Sequence, residues 1–161
     1  MCVLEGELND VYLQPGELYF AHEPTIIRTI LGSCVGATFW TARLRIGALF
    51  HAQLPKIPES APASAGRRYA DSSIREIARL FDEHGVDRSE VQVKIFGGAD
   101  VLRGSVQDPA HPTVGSLNCD AALEVLRAEG FDVIASSLRG QRGRKIRFHT
   151  GTGEVLVRSL A

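Results

Sequence analysis

Four short runs of aromatic and β-branched residues follow one another between residues 17 and 52, and they limit the chain to folds built on a β-sheet. The runs are ELYFAHE, TIIRTIL, VGATFW and RIGALFHA. Residues of these types are enriched in strands, where their side chains pack on a pleated surface. Later segments of the same character are VQVKIF, FDVIASSL and the pair IRFHT and EVLVRSL, which flank GTG and predict a hairpin.

Two other segments have the period of a helix. One apolar stripe with the spacing i, i+3, i+4, i+7 is formed by Ile74, Ile77, Ala78 and Phe81. A second, partial stripe predicts a helix over about 118–129, with Asn118 as its N-cap and Gly130 at its end. Many strands with two main helices predict the α/β class, as a single layered α/β sandwich with mostly antiparallel or mixed sheets.

The length of 161 residues predicts one domain over residues 1–161, because such a chain can bury a core without staples. Within it, the segment 55–68, PKIPESAPASAGRR, has no periodicity and predicts a mobile loop. A net charge of −1 argues against binding to nucleic acid or to a membrane surface. No apolar run has the length of a membrane span and no leader peptide is recognisable, so we expect no membrane insertion and a cytoplasmic location.

One cysteine stands in a context that differs from ordinary core filling. Cys34 lies in LGSCVG, and His51 follows seventeen residues later in GALFHAQLP. His51 could accept the thiol proton and raise the thiolate fraction near neutral pH. Gly32 permits a tight turn, and the amides around Ser33 could converge on an oxyanion. A buried cysteine that acts as a small hydrophobe, with a structural histidine, is the alternative that the residues alone leave open.

The cysteines as a group predict no cross-link and no metal site, since none of them forms a CxxC pair. They are Cys2, Cys34 and Cys119.

Around these residues the chain resembles the CheD family of chemoreceptor glutamine deamidases. The resemblance is carried by LGSCVG, GALFHAQLP, RRYADSSI, KIFGGADVL, VGSLNCDAALEVL and GRKIRFHTGTGEVLVRSL. In that family the cysteine is the nucleophile and the histidine is the general base, roles that the resemblance assigns to Cys34 and His51. It also implies a reaction that uses no metal ion and no organic cofactor.

One position departs from the family pattern, which commonly has a threonine six residues before the cysteine as the third member of the catalytic set. Arg28 occupies that position here. Thr29 is the adjacent candidate, although one residue of slip along a strand points to the opposite face, and Thr25 is the other. The residues expected to hold the oxyanion or the substrate are Gly32, Ser33, Gly97 and Gly98.

The resemblance implies conversion of a glutamine to glutamate on the cytoplasmic helices of methyl-accepting chemoreceptors, through a cysteine thioester, as a step of chemotactic adaptation. It further implies binding of a CheC-type phosphatase of the response regulator CheY. Hydrolysis of the corresponding glutamate methyl ester is a second reaction that the same acyl-enzyme would permit. Two alternatives stay open: a weakly active or inactive CheD-like adaptor that regulates the phosphatase, for which Arg28 leaves room, and a thiol hydrolase of small molecules.

Overall fold

Nine strands and two α-helices make up the regular structure of residues 8–101 and 110–161, the part of the chain that the computed structural model describes. The strands are β1 (Asn9–Tyr12), β2 (Leu18–Ala21), β3 (Thr25–Leu31), β4 (Val35–Thr41), β5 (Ile46–Ala52), β6 (Gln92–Gly97), β7 (Val133–Leu138), β8 (Arg144–His149) and β9 (Val155–Ser159). The helices are α1 (Ala70–Glu83) and α2 (Val114–Ala128). Two short 3₁₀ helices cover Ala63–Arg68 and Arg88–Glu90.

The strands form two mixed sheets. The four-stranded sheet has the order β1-β3-β8-β9, in which β1 and β3 are parallel and the other pairs are antiparallel. The five-stranded sheet has the order β2-β5-β4-β6-β7, in which only β6 and β7 are parallel. The predicted fold class, a layered α/β sandwich with mixed sheets and two main helices, is confirmed.

The five-stranded sheet is the middle layer of the molecule. One face, with Val35, Ala37 and Phe39 of β4, packs with residues of α1 and α2 in the largest hydrophobic cluster. The other face packs against the four-stranded sheet, where Leu49 of β5 meets Ile27 of β3. All seven residues of β5 are therefore buried. Both faces of this central strand lie in the protein interior, which explains why the residues around His51 form a continuous apolar run.

Three local features differ from the sequence-based expectations. The four-residue strand β1 was not predicted, since NDVY carries little apolar character. Helix α2 begins at Val114, four residues before the expected start, and its N-cap is Thr113, whose hydroxyl accepts from the N–H of Ser116 at 3.1 Å. Asn118 is therefore not an N-cap. It lies inside the helix and is fully buried.

The segment 55–68 is also more ordered in backbone structure than its composition predicts. Six of its residues form the 3₁₀ helix Ala63–Arg68. The carbonyl of Arg68 accepts the N–H groups of Gln53 at 2.9 Å and Leu54 at 3.0 Å. These bonds fasten the end of the segment to the chain that follows β5. The second half of the segment thus has regular backbone structure, and the mobility of residues 55–68 stays a prediction.

Neither of the two α-helices in the described residues is both long enough and apolar enough to cross a membrane.

Candidate active site

His51 and Thr29 face each other across the space between the two sheets. His51 belongs to β5 and Thr29 to β3, and both side chains are buried. The Thr29 Oγ1 atom lies 2.7 Å from His51 Nδ1. The same hydroxyl donates to the backbone carbonyl of Leu13 at 2.8 Å. Strand alternation brings Thr29 inward together with Ile27 and Leu31, which are buried on the same face of β3.

The hydrogen bonds of Thr29 determine the tautomer of His51. A hydroxyl has one hydrogen, and a carbonyl oxygen can only accept, so that hydrogen points to Leu13. The Thr29 oxygen must then accept the hydrogen bond that it forms with His51, so the proton lies on Nδ1 of the histidine. This leaves the lone pair on Nε2 of His51. A neutral imidazole held in this way has its basic nitrogen available to a neighbouring proton donor.

Cys34 lies beside this pair, at the end of the turn that joins β3 to β4. Gly36 is the register partner of His51 in the antiparallel pair of β4 and β5. Cys34 immediately precedes β4, which begins at Val35. The side chain of Cys34 is half-buried and packs against the cluster formed by Leu31, Phe96 and Ile146. Leu31 and Ile146 belong to the four-stranded sheet and Phe96 to the five-stranded sheet, so the thiol lies between the two sheets, in the layer that also holds His51 and Thr29.

Burial shifts both titrating groups toward their neutral forms. Desolvation lowers the pKa of His51 to about 4, and the nearby Glu17 carboxylate opposes this shift only in part. Desolvation also raises the pKa of the Cys34 thiol above its usual range, against a smaller opposite effect of its own backbone N–H. At neutral pH the free site therefore holds a thiol and a neutral imidazole. Both shifts run against the sequence-based expectation that His51 raises the thiolate fraction of Cys34 near neutral pH.

The turn that carries Cys34 is held from behind by the Gly-Gly pair after β6. The N–H of Gly98 donates to the carbonyl of Cys34 at 2.8 Å, and the N–H of Ala99 donates to the carbonyl of Gly32 at 2.9 Å. Gly97 and Gly98 have φ values of +104° and +67°, which L side chains rarely adopt. A Cβ on Gly97 would collide with the Cys34 carbonyl oxygen. Both glycines are therefore needed for the shape of the turn.

The turn also presents two amides that no backbone carbonyl of the described residues accepts, and one of them, the N–H of Cys34, faces its own thiol. The other is the N–H of Ser33, which donates to no acceptor among residues 8–101 and 110–161. The N–H of Gly98, by contrast, is already occupied by the carbonyl of Cys34. Of the four residues expected from the sequence to hold an oxyanion or substrate, Ser33 presents an N–H without an acceptor in the described ranges, the carbonyl of Gly32 is held by Ala99, and Gly97 and Gly98 support the turn.

Arg28 lies on the other face of β3. Its Nε donates to the Asp10 carboxylate at 3.0 Å, and both side chains are largely solvent-exposed. Thr25, at the start of β3, donates through its hydroxyl to the Glu23 carbonyl at 2.8 Å, and its N–H donates to Thr150. Neither residue contacts His51. Of the three candidates Thr25, Arg28 and Thr29, only Thr29 is hydrogen-bonded to His51 among the described residues, and its role as third member of the catalytic set stays a prediction.

Asn118 is a residue of this region that sequence reasoning assigned to a different role. It reaches from α2 to the carbonyls of Ser33 and Gln53, at 3.0 and 3.1 Å. A signal was available, because Asn118 precedes Ala122, Val125 and Leu126 with the spacing of one helix face, and that face is buried. A polar side chain on a buried stripe requires a hydrogen-bond partner inside the protein.

No group of three His, Cys, Asp or Glu side chains with the arrangement of a metal site occurs in the described ranges.

We expect Gly98→Ala to destabilise the protein more than Gly85→Ala does. Both glycines have nearly the same φ, +67° and +68°, so the backbone strain of an alanine is matched at about 1–2 kcal/mol. A Cβ on Gly98 would meet Cys119 and the Gly115 carbonyl, whereas a Cβ on Gly85 has open space around it. Overpacking should add about 1–3 kcal/mol to the loss in Gly98→Ala. Urea unfolding of the two variants measures the difference, and equal midpoints would contradict the packing of this turn.

Comparisons with known proteins agree on one family. A family model described as CheD chemotactic sensory transduction matches residues 53–159. A protein of Geobacter sulfurreducens named probable chemoreceptor glutamine deamidase CheD 2 is 44% identical over 160 residues, covering 99% of this chain and 96% of that protein. A protein of Oleidesulfovibrio alaskensis named probable chemoreceptor glutamine deamidase CheD is 40% identical, covering 95% of this chain and 74% of that protein. These relatives span the region of Cys34 and His51, which lies before the part matched by the family model.

Among solved structures, the crystal structure of the hypothetical protein YfiH of Bacillus licheniformis has a similar fold. The TM-score is 0.50 at 12% identity, and the alignment covers 74% of this chain and 49% of that chain. This chain thus corresponds to about half the length of the YfiH chain. At such low identity the likeness concerns the fold alone.

Proposed function

The chain belongs to the CheD family, and from that premise we propose that it is a chemoreceptor glutamine deamidase, which hydrolyses the side-chain amide of a receptor glutamine to glutamate. The names of its relatives support the reaction and the substrate class. The observation that carries the proposed mechanism is the Thr29–His51 hydrogen bond, because it leaves Nε2 of a buried neutral histidine unprotonated beside a cysteine.

In the proposed mechanism Cys34 is the nucleophile and His51 is the general base. Nε2 of His51 takes the thiol proton as the sulfur forms a bond to the amide carbon of the glutamine. The N–H groups of Ser33 and Cys34 would donate to the tetrahedral oxyanion. The imidazolium returns its proton to the amide nitrogen, which leaves as ammonia. Water then attacks the thioester while His51 accepts its proton, and this proton returns to sulfur as the glutamate is released.

The pKa values of the two groups constrain how the first step occurs. With the pKa of His51 lowered to about 4 and the pKa of the Cys34 thiol raised above its usual range, full proton transfer from the thiol to the imidazole in the free site is strongly unfavourable. A thiolate–imidazolium pair is therefore scarcely populated before substrate binds. Proton transfer and formation of the C–S bond must accompany each other, with the developing oxyanion stabilised by the turn amides. The low pKa also makes the imidazolium a strong acid toward the departing nitrogen.

A groove at the start of the turn that carries Cys34 supports a macromolecular substrate. It has a volume of about 380 Å³ and begins at Gly32, next to the turn. Apolar side chains of Ile30, Val101 and Leu160 line it, and Arg142 contributes a positive charge. Other arginines of the basic loop are engaged within the protein, since Arg139 pairs with Asp120 at 2.7 Å. An amphipathic receptor helix with acidic residues fits these properties.

The experiment that tests the proposed function is mass spectrometry of a chemoreceptor co-expressed with the protein. We expect a receptor peptide to gain the mass of a glutamine-to-glutamate conversion, and a receptor with that glutamine replaced by alanine serves as the control. Receptor peptides that keep their glutamines would contradict the proposal. Binding of a CheC-type phosphatase without conversion would favour the adaptor alternative, and loss of methyl groups from receptor glutamates would reveal the second, esterase reaction of the same acyl-enzyme.

We expect Thr29→Val to reduce turnover by about 10–100-fold, because valine keeps the shape of threonine but cannot accept the Nδ1 proton that fixes the tautomer of His51. Arg28→Thr is the matched control on the same strand. Its side chain points to Asp10 on the opposite face, so turnover should change by less than about tenfold, or 1.4 kcal/mol. Rates of receptor deamidation for the two variants decide the matter. A larger loss in Arg28→Thr than in Thr29→Val would exclude Thr29 as the residue that orients the histidine.

A further inference from the structure

A single buried amide connects the two segments that carry the proposed nucleophile and base. Asn118 lies on the second turn of α2 and is fully buried. Its Nδ2 donates to the carbonyl of Ser33 at 3.0 Å and to the carbonyl of Gln53 at 3.1 Å. Ser33 immediately precedes Cys34, and Gln53 follows His51 by two residues. Both hydrogens of the side-chain amide are thereby used to hold these two segments together.

The orientation of this amide follows from its partners. Both are carbonyl oxygens, which only accept, so the nitrogen of Asn118 must face them. The Oδ1 atom of Asn118 is then left buried and has no hydrogen-bond partner among the described residues. An unpaired buried acceptor is unfavourable, and an apolar side chain at this position would avoid it. An apolar side chain, however, could not form the two hydrogen bonds to the carbonyls of Ser33 and Gln53.

The bond to Ser33 also determines the direction of an amide in the proposed oxyanion site. In a trans peptide the carbonyl of Ser33 and the N–H of Cys34 point in opposite directions. Because Asn118 draws the carbonyl toward α2, the N–H of Cys34 points away from the helix. It lies where it lowers the pKa of its own thiol, that is, on the side of the sulfur. The carbonyl of Cys34 is held in turn by the N–H of Gly98.

Close packing of α2 makes this contact possible. A Cβ on Gly115 would lie 2.6 Å from the Gly98 carbonyl oxygen and 2.7 Å from that of Ala99. Only a residue without a side chain permits the helix to approach the Gly-Gly segment so closely. Asn118 is one turn further along the helix, at the distance from which its short side chain reaches the turn.

On the basis of the proposed function, we propose that Asn118 is a positioning residue: it fixes the turn of Cys34 to the strand end after His51 and directs the Cys34 N–H toward the oxyanion. Asn118 does not touch the substrate or the reacting atoms. Its loss affects the rate of acyl transfer, because the oxyanion donor and the thiol lose their fixed direction. Substrate binding, which depends on the groove surface, is retained. The protonation of His51 is also retained, since Thr29 continues to hold its ring.

The test compares Asn118→Leu with Thr113→Ala. Leucine has a similar volume, removes the unpaired acceptor and cannot bind the carbonyls. Thr113→Ala removes the N-cap of the same helix and leaves Asn118 in place, so it controls for destabilisation of α2. We expect Asn118→Leu to lower kcat by at least about tenfold, with KM and the acidic limb of the pH profile unchanged, whereas Thr113→Ala keeps kcat within about threefold. Asn118→Ala is the second variant, should leucine prevent folding.

Hydrogen exchange supplies a readout that does not depend on activity. The backbone amides of Gly98 and Ala99, which donate to the carbonyls of Cys34 and Gly32, should exchange faster in Asn118→Leu than in the wild type, and their exchange should be unchanged in Thr113→Ala. Unchanged exchange at these residues, or a kcat within about threefold of wild type, would overturn the inference. If the wild-type protein deamidates no receptor, the proposed function fails, and exchange still decides whether Asn118 holds the turn.

Discussion

Cys34→Ala should abolish deamidation, with a loss of at least about 10³-fold in turnover, while the protein remains folded. The sulfur is the only atom of the proposed site that forms a bond to the substrate, and no neighbouring group can replace it at the end of the β3–β4 turn. The side chain is half-buried, so its truncation should lower the free energy of unfolding by about 1 kcal/mol or less. Mass spectrometry of a co-expressed receptor and urea unfolding measure the two effects.

Cys119→Ala is the matched control for this variant. Cys119 is the second free cysteine in the described residues, is fully buried and packs beneath Gly98. The Cys119→Ala substitution deletes a similar number of atoms close to the same turn but leaves the proposed nucleophile in place. We expect its turnover to stay within about threefold of wild type. Conversion of receptor glutamine by Cys34→Ala, or loss of conversion in Cys119→Ala alone, would remove Cys34 from its proposed role.

The strands could be predicted from the sequence because their residue types and turns agree with the final fold. TIIRTIL and VGATFW became β3 and β4 with bounds close to those expected. The layer order could not be predicted, because VGATFW is compatible with a strand that is buried on one face or on both. β1 was missed for a related reason: its pairing with β3 satisfies backbone groups, and its side chains are mostly exposed.

The identity of the third residue was within reach of the sequence. Alternation along β3 gives Ile27, Thr29 and Leu31 one face, and the charge of Arg28 on the other face marks the first as the inner one. Arg28 falls on the opposite face by the same rule. The family spacing, counted back from Cys34, leads to Arg28, whereas the alternation of buried side chains leads to Thr29. The residue adjacent to the family position is thus the one that lies against His51, and its catalytic role stays a prediction.

The ionisation of the site was beyond the sequence. A cysteine and a histidine in sequence predict mutual stabilisation as ions, but the outcome depends on how much water each loses on folding. His51 lies in the middle layer of the molecule, where desolvation exceeds the effect of the Glu17 carboxylate. Burial of the Cys34 thiol raises its pKa and so also favours the neutral form. These desolvation effects arise from packing between the two sheets, which the types of the two residues alone do not reveal.

His51→Asn should lower turnover by about 10²–10⁴-fold, the usual contribution of a general base, and should remove the acidic limb of the pH profile. Asparagine retains an N–H donor near the position of Nδ1 for the Thr29 hydroxyl and lacks the basic nitrogen. In the wild type, kcat/KM should fall at low pH with the pKa of His51, about 4.

Because the resting thiol is already neutral, alkylation of Cys34 by iodoacetamide at pH 7 should be slow in both proteins. It is measured in a Cys2→Ala background.

The stability of the same variant tests the burial of His51 without any activity measurement. The pKa of His51 is about 4 when folded and about 6.5 when unfolded. Between these values the unfolded state binds the proton and the folded state does not, so wild-type stability falls as pH drops from about 6.5 to about 4, by on the order of 3 kcal/mol from this group. His51→Asn should lose that part of the pH dependence, while His22→Asn, which removes an exposed ring, should keep it. An acidic limb near pH 6.5, or the same fall in stability in His51→Asn as in the wild type, would show that His51 is not the buried neutral base.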